Sequence, residues 1–471
     1  MKKAILLIST LFFVIAAFAN GGHTIKVQIK NFTGKEIYFG YPYGDKEYLR
    51  DTAVLDTQGY FVFAGEEELP GGVYLIVMPP NNEYFQILLN KGEQNLIVSV
   101  NDPKNPMKDI KIEGSSDNNL LYEYLNYLAA LRPQADTIRA QIARASDEKI
   151  KESLQKKLDA IDKDVVAYQN RLVEKHPKTL SAAIIRANIP MDQPEFQGDT
   201  LEIQRQRWRY SIEHFFDNLD LGDPRMLRTP KAIFFDRIDY YVNKLQVQHP
   251  DSLSQAVDYV LNKMKPAEET FKYYLIHFLN YFAKSQYVGM DAVYVHLVNE
   301  YYAKGLAPWT DAESLKKIIE NAKGLEPTLI GKIIPDVTLE KRDSSKISLH
   351  SVDAEYIILY IWSYSCGTCK KATPVLKEFN EKFKDKGVKI FAICNHAGKE
   401  VAECWKYVDE NGNQDWIHTA DPYRISNYQD KFYVKSTPTI YVLDKNKEII
   451  SKRIGAEQLD EIMTRIIEAK K

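Results

Sequence analysis

Residues 356–369 read YIILYIWSYSCGTC, and this stretch decides the fold of the C-terminal part of the chain. An uninterrupted apolar run that ends at Trp362 predicts a strand buried on both faces of its sheet. Cys366 and Cys369 follow, and from there the apolar residues recur at helical spacing as far as Phe383. The sequence therefore predicts a junction between a buried strand and a helix, with two cysteines in the first helical turn.

The spacing of Cys366 and Cys369 is that of a redox-active dithiol. A thiol at a helix N-terminus faces unpaired N–H groups and the positive end of the helix dipole, so we expect Cys366 to be a nucleophilic thiolate. Lys370 and Lys371 add positive charge nearby. The i, i+3 spacing places Cys369 on the same helical face, from which it can attack a mixed disulfide of Cys366. The alternatives are a structural disulfide and a zinc site that would also use Cys394, His396 and Cys404.

Strands and helices alternate throughout the C-terminal part, from residue 331 onward. IIPDVTLEK and KISLHSV predict a hairpin before the buried strand, and VKIFAIC predicts a second buried strand after the helix. A helix at 398–410, the paired strands TPTIYVLD and EIISKRIG, and a terminal helix at 456–469 complete an α/β domain. Pro374 should kink the helix that begins at Cys366.

Residues 331–471 resemble the thioredoxin-like thiol–disulfide oxidoreductases of the TlpA/ResA type. The matching residues are Gly331, Pro335-Asp336, Trp362, Cys366-Gly367, Cys369, Pro374 and Thr437-Pro438. The resemblance implies that Cys366 attacks, that Cys369 resolves, and that Pro438 is a cis-proline packed against the pair. It also implies that Thr437 offers its backbone to an incoming peptide, while Trp362, Gly367 and Thr368 support the site. We expect neither a cofactor nor a metal ion.

Three features depart from the pattern of that family. Ser365 stands where the family often has Trp, and Gly367-Thr368 replaces the familiar Gly-Pro. The strand at 356–362 also lacks the buried acid that some relatives use to move the proton of the resolving thiol. These departures concern the redox potential and the identity of the general base.

The rest of the mature chain is predicted as two further domains. Residues 20–115 contain β-branched and aromatic runs separated by turn signals, which predict an antiparallel β-sandwich with a packing or docking role. Residues 116–325 are predicted to be all-α, most clearly at 136–175, where Leu158 and Leu172 belong to a heptad-like seam. We expect this seam to pack within a helical hairpin that turns near Arg132-Pro133; a dimer contact is the alternative. The thioredoxin-like domain then occupies 326–471.

Residues 1–19 have the pattern of a secretory signal peptide. Lys2 and Lys3 precede an apolar run that ends in Ala17-Phe18-Ala19. No later apolar run approaches the ~20 residues that a membrane-spanning helix needs. We therefore expect a soluble protein in the periplasm or otherwise outside the cytoplasm.

The charge balance of the chain argues against nucleic-acid binding as its function. The chain has 62 Lys and Arg residues against 64 Asp and Glu residues, a net charge of -2, so charge gives no reason to expect a nucleic-acid partner. We expect protein disulfide substrates, exchanged mainly in the direction of reduction, and a membrane or soluble thiol electron donor. The sequence leaves open whether the chain forms a homodimer through its helical or its β module. The alternative function is a non-enzymatic binding or assembly module of the cell envelope with an accessory redox domain.

Cys394 and Cys404 remain outside the predicted redox pair. Cys394 ends the strand VKIFAIC, and Cys404 lies in the helix that follows. We expect two buried, unreactive thiols; a structural disulfide and a second redox or metal role are the alternatives. In each of the first two cases neither cysteine takes part in turnover.

Overall fold

The computed structural model describes residues 22–469, so the predicted signal peptide at 1–19 lies outside the described residues. The described chain divides into two compact units. One contains the residues up to Tyr241 together with Lys263–Thr270, and the other contains Val242–Asn262 and the residues from Phe271 onward. The segment predicted as helical therefore contributes to both units. Within 22–469, no helix combines the length and apolar character that crossing a bilayer requires.

Eight strands form two four-stranded sheets in the N-terminal part. They are β1 His23–Ile29, β2 Glu36–Tyr43, β3 Lys46–Val54, β4 Phe61–Gly65, β5 Gly72–Met78, β6 Glu83–Leu89, β7 Asn95–Val100 and β8 Lys111–Glu113. The strand orders are β4-β1-β7-β8 and β3-β2-β5-β6. Pairing is antiparallel except between β1 and β7, which run parallel. The sequence pattern does not predict β3 or β8, because β3 is exposed at nearly every position and β8 has only three residues.

The two N-terminal sheets share one hydrophobic core, as the predicted sandwich requires. In β1, buried positions such as Ile25 and Val27 alternate with more exposed ones, which is the period of a strand with one face in the core. Phe39 of one sheet stacks on Phe63 of the other, with ring centroids 4.9 Å apart. The core thus lies between the sheets.

Two long helices, α1 Ser116–Arg144 and α2 Glu148–Lys175, form the predicted hairpin, but the turn lies elsewhere. The chain turns at 145–147, which interrupts the helix predicted over 136–175, and Pro133 lies inside α1. Asp147 caps α2 by accepting hydrogen bonds from the N–H groups of Lys149 and Ile150, at 2.8 and 3.3 Å. Such a cap satisfies N–H groups that a helix start leaves unpaired, so Asp147 determines where α2 begins.

The heptad-like seam of α2 packs on α1. Leu158 is buried with Ala135 and Ile138, and Leu172 is buried with Leu120. The seam is therefore a contact within the chain, as predicted.

Seven more helices precede the C-terminal sheet. They are α3 Leu180–Ala187, α4 Thr200–His214, α5 Phe235–Tyr240, α6 Pro250–Met264, α7 Glu268–Ala283, α8 Asp291–Leu297 and α9 Ala312–Leu325. Two of them, α5 and α8, continue into the π-helical turns Tyr241–Leu245 and Val298–Tyr302. The prediction of an all-α segment is confirmed.

A seven-stranded sheet forms the centre of the C-terminal part. Its strands are β9 Thr338–Glu340, β10 Lys346–Ser348, β11 Tyr356–Trp362, β12 Val388–Cys394, β13 Ile417–Ala420, β14 Thr439–Asp444 and β15 Ile449–Lys452. The order is β10-β9-β13-β12-β11-β14-β15, in which β11, β12 and β13 are parallel and the other pairs are antiparallel. The sequence pattern does not predict β13, whose four residues IHTA have little β signal.

Helices cover this sheet so that both faces of β11 are buried. They are α10 Gly367–Phe383, α11 Val401–Asn411, α12 Tyr428–Lys431 and α13 Leu459–Ala469. Ile358 and Tyr360 belong to the core cluster on one face, and Ile357 and Leu359 belong to the cluster on the other. This explains why β11 is apolar without interruption. Its carboxyl end leads directly to the two cysteines.

Candidate active site

Cys366 and Cys369 lie where β11 passes into α10. Cys366 is the N-cap residue of α10, and its sulfur accepts a hydrogen bond from the backbone N–H of Cys369, 3.2 Å away. The sulfur thus occupies the place of a capping oxygen and faces the positive end of the helix dipole. Both cysteines are free thiols in the structure.

The surroundings of Cys366 favour its thiolate form. Burial raises the pKa of this half-buried thiol, but hydrogen bonds from the thiol and N–H of Cys369 and from Thr437 outweigh burial. The pKa of Cys366 therefore lies below its ordinary value. Because the thiolate is the nucleophilic form of cysteine, Cys366 is suited to attack.

Cys369 lies in the opposite environment. It is only 1% exposed, and burial together with the hydrogen bond to the Cys366 sulfur raises the pKa of its thiol to about 12. Cys369 is therefore a protonated, shielded thiol at neutral pH. The two thiols, one turn apart, differ in both access and protonation.

The loop before β14 completes the site. The peptide bond between Thr437 and Pro438 is cis, and the thiol of Cys366 donates a hydrogen bond to the carbonyl oxygen of Thr437 at 3.3 Å. The structure thus brings together two sequence motifs that lie 71 residues apart. Pro438 directly precedes β14 and is half-buried.

The three supporting residues occupy different kinds of position. Trp362 is 2% exposed and packs on Tyr407, with ring centroids 5.2 Å apart, so it belongs to the core beneath the cysteines. Gly367 and Thr368 are exposed between the cysteines, and the backbone of Thr368 helps to lower the pKa of Cys366, against the effect of burial. The stretch between the two cysteines is therefore open to solvent, whereas Trp362 is not.

Sequence reasoning missed a hydrogen-bonded cluster next to the cysteines. The Ser363 hydroxyl lies 2.8 Å from Nε2 of His396, and Nδ1 of His396 lies 2.8 Å from a carboxylate oxygen of Glu400. A signal was present, because Ser363 directly follows β11 and His396 follows β12. Carboxyl ends of neighbouring parallel strands meet at one edge of a sheet, which is where such sites form.

Cys394 and Cys404 form a disulfide, so the expectation of two free thiols is wrong. Their Cα atoms are 6.4 Å apart, within the range that a disulfide can bridge. The physical reason is that α11 packs against the end of β12 with Cys404 facing the core. Both residues are fully buried, at 1% and 0% exposure.

This disulfide also removes two of the three additional ligands considered for a zinc site. Between residues 22 and 469, no three or more His, Cys, Asp or Glu side chains are grouped so that they could hold a metal ion.

Three stretches of the chain match known protein families. Residues 353–449, which include Cys366, Cys369 and Thr437, match the thioredoxin-like family Thioredoxin_8. Residues 23–121 and 148–323 match two domains of unknown function, DUF4369 and DUF5106.

Curated relatives carry a redox description. The chain is 26% identical over 137 residues to the thiol–disulfide oxidoreductase ResA of Bacillus thuringiensis, a match that covers 29% of this chain and 76% of that protein. It is also 26% identical over 137 residues to ResA of Oceanobacillus iheyensis, covering 28% of this chain and 69% of that protein.

Two solved structures are similar to parts of this chain. A domain of a possible thiol–disulfide isomerase from Cytophaga hutchinsonii is 31% identical, with a TM-score of 0.28, over 30% of this chain and 95% of that domain. A thioredoxin-like protein from Bacteroides caccae is 17% identical, with a TM-score of 0.45, over 59% of this chain and 99% of that protein.

Proposed function

Because the C-terminal domain of this chain belongs to the thioredoxin-like thiol–disulfide oxidoreductases, we propose that the protein exchanges disulfides with protein substrates through Cys366 and Cys369. One observation carries the proposal. A half-buried thiol with a lowered pKa lies one helical turn from a shielded thiol with a pKa raised to about 12. Attack and resolution need this division of roles.

In the first step the Cys366 thiolate attacks one sulfur of a substrate disulfide. An S–S bond forms between Cys366 and the substrate, the substrate S–S bond breaks, and the other substrate sulfur leaves as a thiolate that takes up a proton. Burial raises the pKa of Cys366, and a hydrogen bond from the Thr437 side chain helps to outweigh that rise, which supports the thiolate needed in this step. An extended substrate backbone would lie beside this loop.

In the second step Cys369 resolves the mixed disulfide. The thiol of Cys369 gives up a proton and attacks the Cys366 sulfur, so that an S–S bond forms between the two cysteines and the S–S bond from Cys366 to the substrate breaks. The substrate sulfur leaves as a thiolate and takes up a proton, and the substrate has then gained two electrons in all. A separate thiol donor, membrane-bound or soluble, returns the site to the dithiol form. The buried position of Cys369 supports this role, since external disulfides reach it poorly.

The direction of exchange depends on how strongly the site stabilises its thiolate. Strong stabilisation of a thiolate makes a dithiol pair an oxidant, because it favours the reduced form. Burial raises the pKa of Cys366, but hydrogen bonds to its sulfur lower the pKa overall, without a charged partner among them. We propose reduction as the direction of exchange, and the reduction potential of the pair tests it.

We place the protein outside the cytoplasm on two grounds. Residues 1–19 have the pattern of a signal peptide. The buried Cys394–Cys404 disulfide is a structural bond of the kind that persists in oxidising compartments.

Insulin reduction by a thiol donor tests the proposal. The wild-type protein should accelerate precipitation of the insulin B chain, and Cys366→Ser should abolish the acceleration. Equal activity of Cys366→Ser and wild type would overturn the proposal and favour a binding module.

The reduction potential of the Cys366–Cys369 pair tests the direction. Equilibration with glutathione should give a potential nearer the ~-270 mV of thioredoxin than the ~-120 mV of the oxidant DsbA. A potential at the oxidising end would contradict the reductase assignment while leaving the exchange chemistry intact.

A further inference from the structure

Side chains outside the cysteine motif hold the turn Ser363–Ser365, which links β11 to Cys366. The hydroxyl of Ser363 lies 2.8 Å from Nε2 of His396, and Nδ1 of His396 lies 2.8 Å from Glu400. A carboxylate only accepts hydrogen bonds, so Nδ1–H of His396 donates to Glu400, and in this tautomer Nε2 accepts from the Ser363 hydroxyl. The chain of hydrogen bonds therefore runs in one direction, from Ser363 through His396 to Glu400.

His396 contacts the turn in two ways. Its imidazole packs on the Tyr364 ring, with centroids 4.4 Å apart, while Nε2 binds the Ser363 hydroxyl. The Ser363 oxygen also lies 2.9 Å from the Ser365 hydroxyl and accepts a hydrogen bond from the N–H of Ser365 at 3.2 Å. Ser363 is 6% exposed, so its hydroxyl depends on protein partners.

The backbone of Ser363 contacts both cysteines of the site. Its carbonyl oxygen accepts a hydrogen bond from the N–H of Cys366 at 3.2 Å. On the other side, burial raises the pKa of Cys369, and a hydrogen bond from the Ser363 backbone opposes that rise. A displacement of Ser363 would therefore change the surroundings of Cys366 and Cys369 together.

Glu400 is the carboxylate that orients His396. Two other charged groups, Asp421 and Arg424, line a polar cavity of about 150 Å³ together with His396. The Asp421 carboxylate accepts hydrogen bonds from two backbone N–H groups and one hydroxyl of its own loop. Glu400 directly precedes α11, and its side chain is 65% exposed. The hydrogen bonds from Ser363 through His396 to Glu400 therefore connect the buried turn to a solvent-exposed carboxylate.

We infer that His396, oriented by Glu400, is a positioning residue for the resolving step of the exchange proposed above. His396 holds Ser363, and Ser363 holds the geometry in which Cys369 reaches the Cys366 sulfur. In this step the S–H bond of Cys369 breaks, an S–S bond forms between Cys369 and Cys366, and the bond from Cys366 to the substrate breaks. The substrate sulfur leaves as a thiolate and takes up one proton, which balances the proton that Cys369 loses. Strand β11 has no carboxyl group that could accept the proton of Cys369.

The two releases of thionitrobenzoate from Ellman's reagent separate attack from resolution. Attack by Cys366 on the reagent frees the first thionitrobenzoate at a rate that rises with reagent concentration. Resolution by Cys369 frees the second at a rate independent of that concentration. Stopped-flow absorbance on the reduced protein, over a range of pH, therefore measures each step in the same molecule.

The substitution His396→Ala should slow the second release about ten-fold and change the first by less than about two-fold. His396→Gln keeps an acceptor for the Ser363 hydroxyl and should restore the second rate to within about three-fold of wild type. Glu400→Gln and Ser363→Ala should also slow the second release. These two variants are small changes that keep the test decisive if His396→Ala does not fold.

A matched control is His350→Ala. His350 is also a histidine bound to its surroundings, through the carbonyl oxygen of Ile334 at 2.8 Å, but it is exposed and lies in the segment after β10. Both releases should match wild type.

The inference fails if the variants of His396, Glu400 and Ser363 leave the second release unchanged or slow both releases equally. It also fails if His396→Gln is as slow as His396→Ala. A wild-type protein that frees only one thionitrobenzoate would instead contradict the proposed function itself.

Discussion

The backbone N–H of Cys369 donates a hydrogen bond to the sulfur of Cys366, 3.2 Å away, and so couples the two thiols of the site. This bond stabilises negative charge on Cys366. The sulfur of Cys369 lies buried, where the pKa of its thiol is raised to about 12. One helical turn therefore carries an accessible thiolate and a protected thiol, and the first two predictions depend on that difference.

Alkylation of the reduced protein should label Cys366 first. The pKa of Cys366 is lowered, so its labelling rate should reach half of its maximum at a pH below the ~8.5 that is the pKa of a free cysteine. The rate should fall as the pH drops through the lowered pKa of Cys366. Cys369 stays protonated below its raised pKa and is 1% exposed, so it should remain unlabelled. Peptide mass spectrometry after iodoacetamide measures both sites. Preferential labelling of Cys369 would reverse the assigned roles.

Replacing the resolving thiol should trap substrates. Cys369→Ser keeps the attacking thiolate but removes the second step, so mixed disulfides through Cys366 should accumulate. Non-reducing electrophoresis of affinity-purified protein measures them, and Cys366→Ser is the control that should carry none. Recovery of no protein partner from the Cys369→Ser variant would count against protein substrates.

The Cys394–Cys404 disulfide should contribute stability rather than chemistry. Closing a loop across a sequence separation of 10 should stabilise the fold by about 3 kcal/mol. The double variant Cys394→Ala, Cys404→Ala should lose about that much in urea unfolding, followed by tryptophan fluorescence. Insulin reduction should stay within about three-fold of wild type. Loss of activity in a folded double variant would show that the redox chemistry extends beyond Cys366 and Cys369.

A thiol count checks the disulfide directly. In a variant that carries both Cys366→Ser and Cys369→Ser, Cys394 and Cys404 are the remaining cysteines of the chain. Denaturation without reductant should expose no free thiol. Two free thiols per chain would contradict the disulfide.

A buried ion pair joins α8 to β15 within the second unit. Lys452 is 1% exposed, and its Nζ lies 2.5 Å from a carboxylate oxygen of Asp291 and 2.6 Å from the carbonyl oxygen of Thr328. Asp291→Asn leaves a buried ammonium group without its counter-charge. We expect a loss of about 3–5 kcal/mol in the free energy of unfolding at neutral pH.

The pH dependence of this loss has a definite sign. Burial lowers the pKa of Lys452, and removal of Asp291 lowers it further. The unfolded chain then binds the proton more tightly than the folded protein does. The destabilisation should therefore be largest below the folded pKa and disappear as pH rises towards the ~10.4 of unfolded lysine. Urea unfolding of Asp291→Asn and wild type between neutral and alkaline pH measures it; a constant difference would contradict the mechanism.

Much of the fold was predictable where the pattern is local. Strand β11 shows as an apolar run because helices cover both faces of the sheet, and α10 shows because its core face repeats at helical spacing. Strand β3 was not predictable, because its side chains are exposed and bear no mark of the sheet that pairs with it. The hairpin turn was placed wrongly because Pro133 is tolerated inside α1, while Asp147 begins α2.

The sequence by itself determined which two residues carry the chemistry. Cys366 and Cys369 are one turn apart at the start of a helix, and that relationship depends only on neighbouring residues. Only the tertiary structure decided which distant groups act on the pair. Thr437 reaches Cys366 because β14 pairs with β11, and His396 reaches Ser363 because β12 runs parallel to β11 with Trp362 opposite Cys394. The same register and the packing of α11 bring Cys404 to Cys394. Strand pairing and helix packing set these distances, and neither is encoded in the spacing of residues along the chain.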